Sequence, residues 1–175
     1  MLNLNYNLNI DEMATATLDF LENRPILKFS LFNMKMICCM TIGIYLITVY
    51  HGNISWINSS ITIGAIAWLF FRRKLNYFIL HKSLTRKKVH EYVNNIEIYK
   101  HKIFTKINNS VTELGWSKIS FVYQNKNGYM IPLPGISNSG KFIWLPLRSF
   151  TNTHAEQTFL DIVKNYKLKI KLIKP

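Results

Sequence analysis

The strongest constraint on this chain is the stretch from Met36 to Phe71, which contains no Asp, Glu, Lys or Arg. It is made of two apolar segments, MICCMTIGIYLITVY and ISWINSSITIGAIAWLFF, separated by His51, Gly52 and Asn53. A helix rises about 1.5 Å per residue, so about twenty apolar residues cross a hydrocarbon core about 30 Å thick. The second segment is nearly that long, and the first reaches it by taking in FSLFNM across Lys35. Two buried core helices of a soluble protein are the alternative. The short connection favours an antiparallel pair, and Tyr50 and Trp56 at one end with Trp68, Phe70 and Phe71 at the other suit the two interfaces of a bilayer. The expectation is a two-helix transmembrane hairpin.

Charge orients it. Arg72, Arg73 and Lys74 follow Phe71 directly, and Lys82, Arg86, Lys87 and Lys88 come next, whereas the connection carries no basic residue. The excess of Lys and Arg on one side places both termini in the cytosol. From residue 72 onward there are nineteen Lys plus Arg against five Asp plus Glu, a net charge of +14; residues 1–71 have a net charge of −1. For a domain tethered at a bilayer the nearest anionic surface is lipid, so Arg72, Arg73, Lys74, Arg86, Lys87 and Lys88 are candidate headgroup contacts. A nucleic-acid partner is not expected, because no module that reads nucleic acid accompanies the charge.

Four regions follow. Residues 1–35 hold a cytosolic strand and helix: LNLNYNLNI alternates Leu, Tyr and Ile with Asn, and Asp11 is a candidate cap for EMATATLDFLENR, with Pro25 beyond its end. Residues 36–71 are the hairpin, in which Cys39 with Gly43 and Ser60 with Gly64 could let two backbones approach closely. Residues 72–93 read as a basic juxtamembrane helix ended by Asn94 and Asn95. Residues 94–175 change to a period of two, in IEIYK, HKIFTKI, VTEL, ISFVYQ, YMIPL and FIWLPL, with turns at Asn108–Asn109, Asn125–Gly128 and 135–140. This is an antiparallel meander. Thr153 to Glu156 then reads as a capping box before a helix carrying Phe159, Ile162, Val163 and Tyr166 on one face. The tail KLKIKLIK is either an edge strand guarded by lysines or a membrane-contacting end. The fold class is an α+β membrane protein.

Chemistry is hard to find. Cys38 and Cys39 are adjacent, which disfavours a mutual disulfide; they are packing residues or, alternatively, palmitoylation sites. The five histidines show no metal-ligand spacing, the acidic residues form no pair, and GISNSG is a turn rather than a nucleophile elbow. No cofactor, metal or catalytic residue is expected, and no enzymatic activity.

The hairpin, the basic segment, the turn Trp116-Ser117-Lys118-Ile119 and the strand Leu145-Pro146-Leu147-Arg148-Ser149-Phe150 before a last helix together resemble the YcxB-like family of small two-span bacterial membrane proteins. Leu145 stands where that family's pattern has isoleucine, and the 134–141 loop is longer. The resemblance implies a cytosolic domain similar to a pleckstrin-homology fold, with a curved sheet capped by the C-terminal helix, and no established activity. Trp116, Ser117, Ile119, Pro146, Arg148 and Phe150 are its motif residues. Each also has an architectural role: Trp116 as core, Pro146 as the end of ladder pairing, Phe150 as a staple before the helix, and Arg148 as a partner for turn carbonyls or for a ligand. Two functions are open: a basic cytosolic domain binding anionic lipid or a protein partner, or an immunity protein that blocks a membrane-active or pore-forming toxin.

Overall fold

The computed structural model describes residues 1–52, 54–107, 110–134 and 141–173. It divides into two units, Met1–Leu21 with His81–Pro175, and Glu22–Leu80. The expected turns at Asn108–Asn109 and 135–140 lie outside the described residues.

Among the described residues the first unit is built on eight strands in two four-stranded sheets. Strands β1 (Leu2–Asn7), β2 (Val93–Ile98), β3 (Lys102–Ile107) and β4 (Ser110–Gly115) form one antiparallel sheet in sequence order. The N-terminal strand pairs with β2, Leu2 opposite Ile98 and Tyr6 opposite Asn94. Its alternation explains why: Leu4 and Tyr6 are buried while Asn3, Asn5 and Asn7 face out. The other sheet has the order β7 (Phe142–Pro146), β6 (Gly128–Pro132), β5 (Phe121–Asn125), β8 (Lys169–Leu172).

A continuous meander is therefore not what forms. The ladder stops at Gly115, and a 3-10 turn, Trp116–Lys118, redirects the chain because the fully buried Trp116 is anchored beneath it. The lysine-rich tail is a strand, β8, pairing parallel to β5 with Phe121 opposite Lys169.

Helix α1 (Ile10–Glu22) is capped by Asn9 rather than Asp11: the Asn9 Oδ1 accepts from the amides of Asp11 (2.9 Å) and Glu12 (3.3 Å). Its Phe20 ring sits 5.7 Å from Tyr123 and 4.7 Å from Phe142. At the end of the chain α4 (Thr153–Asn165) is likewise capped one residue earlier than the T-x-x-E pattern suggests, since the Asn152 Oδ1 accepts from the Ala155 amide at 2.8 Å. Glu156 is thereby free to bond elsewhere. Phe159, Ile162 and Val163 of α4 join Trp116, Tyr129 and Leu145 in the core between the sheets. Each large side chain so buried contributes about 1.5–3 kcal/mol.

In the second unit α2 (Pro25–Tyr50) begins with proline in its first turn, where the missing N–H costs nothing. Among the described residues it holds the one stretch, Leu27–Tyr50, long and apolar enough to cross a membrane, and 6% of its most apolar part is buried. Helix α3 (Trp56–Arg86) does not pass the same test. Asn58, Ser59, Ser60 and Thr62 at one end and Arg72, Arg73 and Lys74 at the other leave too short an apolar run between them.

The two helices are joined by a hydrogen bond between the hydroxyls of Tyr45 and Ser59, 3.0 Å apart. Close approach at the glycines does not occur, for a Cβ at Gly43 or Gly64 would meet nothing within 4 Å. Cys38 is buried, Cys39 is exposed, and both thiols are free.

The basic segment after Phe71 is helical only to Arg86. Lys88 takes a left-handed conformation (φ 53°), a 3-10 turn covers Val89–Glu91, and β2 begins at Val93. Asn94 and Asn95 are strand residues opposite Ile107 and Lys106, because the buried alternation of Ile96 and Ile98 extends the β ladder through them.

Candidate functional site

The basic residues divide by environment. Arg72 is largely covered: its Nη2 donates to Glu22 at 3.0 Å and its guanidinium lies 5.4 Å from the Trp68 ring centroid. Arg73 reaches the same carboxylate at 3.8 Å and is half exposed. Two arginines on one carboxylate leave net positive charge, and Lys74 adds to it as an exposed side chain. In the first unit Arg86 and Lys87 are exposed, and Lys88 pairs with Glu91 at 3.2 Å.

The motif residues form a scaffold. Trp116 is fully buried, its indole N–H donates to the Tyr99 carbonyl at 2.9 Å, and its ring stacks on Tyr166 at 6.1 Å. Ser117 is exposed on the same turn and Ile119 is buried beyond it. Pro146 closes the β6–β7 ladder opposite Gly128, and Phe150 packs against Tyr129 and Phe159. Arg148 bonds one strand carbonyl and one carboxylate rather than several turn carbonyls: Nη2 donates to the carbonyl of Asn7, the last residue of β1, at 2.7 Å and Nε to the Glu12 carboxylate at 3.0 Å. These bonds tie β1 and α1 to the β7–α4 connection.

Buried polar groups reinforce that junction. The Tyr6 hydroxyl donates to the Trp144 carbonyl and accepts from the Asn94 amide at 3.4 Å. Burial raises the Tyr6 pKa well above the ordinary phenol range, against a smaller lowering by the Asn94 hydrogen bond. Tyr129 is raised first by burial and then by its 2.7 Å hydrogen bond to Glu156 and that carboxylate's charge. Asp19, buried on α1, accepts from Asn125 at 2.9 Å, while the Asn125 Oδ1 receives the amides of Asn127 and Gly128. Such hydrogen-bonded burial specifies geometry.

One open cleft of about 400 Å³ lies between the β2–β3 turn and α4, with Lys100, His101, Asp161 and Tyr166 on its walls. The His101 Nδ1 and Tyr166 hydroxyl are hydrogen-bonded at 3.2 Å, and Asp161 accepts from Gln157 at 3.0 Å. The sequence offered no signal for it, since its walls come from three stretches far apart in the chain, at Met1, 98–101 and 158–166. Among the described residues no group of three His, Cys, Asp or Glu could hold a metal.

Taken together these features define a small α+β domain of two four-stranded sheets closed by a C-terminal helix, in a chain that also carries a long, exposed apolar helix. Residues 98–163, the segment from the end of β2 to the third turn of α4, match the family model described as YcxB-like protein. The match includes Trp116, Ser117, Ile119, Pro146, Arg148 and Phe150, the residues through which the sequence resembles that family. No curated protein and no solved structure matches the chain.

Proposed function

We propose that this protein is a non-enzymatic bacterial membrane protein, anchored in the cytoplasmic membrane by α2 and α3 as a two-span hairpin with both termini cytosolic. Its basic, pleckstrin-homology-like domain binds anionic lipid or a protein partner. The observation that carries the reading is the apolar surface left uncovered on both helices. Phe29, Phe32, Met40, Ile44 and Ile47 of α2 and Ile57, Ile63, Phe70 and Phe71 of α3 are all more than half exposed. A soluble protein does not leave so extended an apolar surface in water. The polar end of α3 is compatible with the bilayer because Ser59, Ser60 and Thr62 donate to the carbonyls four residues back, those of Ser55, Trp56 and Asn58. The half-exposed Arg73 and exposed Lys74, just beyond Phe71 and Arg72, then fall at headgroup depth, with Arg86, Lys87 and Lys88 as further basic contacts.

A test is to isolate the full-length protein with its surrounding lipid, beside a variant in which Arg73, Lys74, Arg86, Lys87 and Lys88 are replaced by glutamine. Anionic lipid should be enriched around the native protein and less so around the variant. Equal enrichment refutes the lipid contact, and release of the native protein from membranes by alkaline carbonate refutes the anchor.

The second reading, immunity to a membrane-active toxin, draws on Asn58, whose exposed amide lies beside a slot of about 160 Å³ lined by Thr41, Tyr45, Thr48 and Thr62. Protection of toxin-challenged cells that is lost on Asn58→Leu would favour it.

A further inference from the structure

Strand β8 is the edge of its sheet, paired only with β5 among the described residues, and all four of its residues are exposed. Lys167, Lys169 and Lys171 stand at alternate positions along this end of the chain, and no described ion pair includes any of them. The Lys171 Nζ is 3.8 Å from the Phe121 ring centroid and 5.8 Å from that of Tyr123. Lysines on an edge strand commonly serve to prevent further strand pairing. That purpose does not account for their neighbours: Ile170 and Leu172 between and beyond them are 39% and 72% exposed. Lys169 and Lys171 point to one side of the strand and Ile170 and Leu172 to the other, so the edge itself, lying on a surface that is anionic outside and apolar just beneath, reaches it with cations and aliphatic side chains together.

We propose that β8, with the turn residue Lys167 before it, is a contact site for the anionic bilayer surface, with Lys167, Lys169 and Lys171 at the headgroups and Leu172 at the acyl boundary. The proposal rests on the membrane reading above, because attachment in the same bilayer supplies the high local concentration that a weak contact needs. Each basic side chain near an anionic surface strengthens association about fivefold, so the three together contribute about a hundredfold. Salt should remove most of this, as screening is strong for exposed charges.

The test uses the full-length protein in nanodiscs of phosphatidylcholine alone and of phosphatidylcholine with phosphatidylglycerol. Lysine acetylation is followed residue by residue by mass spectrometry, with the exposed Lys106 and Lys126 as internal references. Acetylation of Lys167, Lys169 and Lys171 should slow at least about threefold, relative to the references, in the anionic discs at low salt, and recover at high salt. Equal relative rates in the two discs overturn the proposal, as does protection that is the same in both discs and insensitive to salt, which would indicate a protein covering the strand. Leu172→Asp should abolish the protection without altering the references. Failure of the protein to stay in discs after an alkaline wash defeats the anchoring instead, so the two ideas fail separately.

Discussion

Replacing Gly128 by alanine should damage the domain more than any other single methyl addition at a described glycine. A Cβ on Gly128 would lie 2.8 Å from the Pro146 Cα and 2.8 Å from the Trp144 Cη2, and closer still to the Leu145 carbonyl oxygen. Carbon atoms pack best at about 3.5–4.0 Å, so about 1 Å of movement is required. Two of the three obstacles are backbone, and they belong to β7, which pairs with β6 at this position. Separating them also strains the Tyr6 bond to the Trp144 carbonyl. Overpacking of this kind costs about 1–3 kcal/mol, and a rigid neighbour places Gly128→Ala at the upper end. For a unit of this size that is a fall in Tm of roughly 10 °C.

Thermal unfolding of the full-length protein in detergent, followed by tryptophan fluorescence, measures it directly, because Trp116 and Trp144 both sit in the core. Gly43→Ala and Gly64→Ala are the controls: nothing lies within 4 Å of either added Cβ, and both positions are mid-helix. They should leave the core transition where it is. If Gly128→Ala melts within about 2 °C of the native protein, the close packing of β6 on β7 is not as described here and the reasoning fails.

Arg148→Ala should destabilise the first unit by about 1 kcal/mol, a modest figure because the ion pair with Glu12 is partly exposed, and lysine should restore little of it since it lacks the planar fork that serves Asn7 and Glu12 together; thermal melts of the three proteins decide. Tyr6 and Tyr129 have folded-state pKa values raised above the unfolded phenol value of about 10, so the stability they contribute is complete below that pH and is lost as pH rises toward the folded values. Ultraviolet titration should therefore show Tyr6 and Tyr129 resisting ionisation until the domain unfolds, with one resistant phenol fewer in Tyr6→Phe than in the native protein. Two tyrosines ionising normally at Tyr6 and Tyr129 would contradict the buried contacts.

Much of the fold was legible in local pattern. The Leu–Asn alternation of β1, the strand runs from β2 to β7 and the spacing of Phe159, Ile162 and Val163 all depend on side-chain period, which the backbone imposes within a few residues. Helix caps were misread by one or two residues at Asn9 and Asn152, because several neighbouring polar residues can cap and only the chain's entry angle selects one. The candidate site was read less well. Arg72 looked equivalent to its neighbours in sequence, yet Glu22, fifty residues earlier, partners it most closely.

What the sequence by itself determined is therefore what short-range physics controls: a charge-free apolar stretch, a strongly basic remainder, the type of nearly every element and the Trp116 and Arg148 motifs that mark the YcxB-like segment. Only the tertiary structure decided which partners those elements found. It split one apparent meander into two sheets at Trp116, made the lysine-rich tail a strand beside β5, and assigned Arg148 to Asn7 and Glu12. Pairings between residues far apart in the chain depend on how separate surfaces fit once the core closes, and no local pattern encodes that fit.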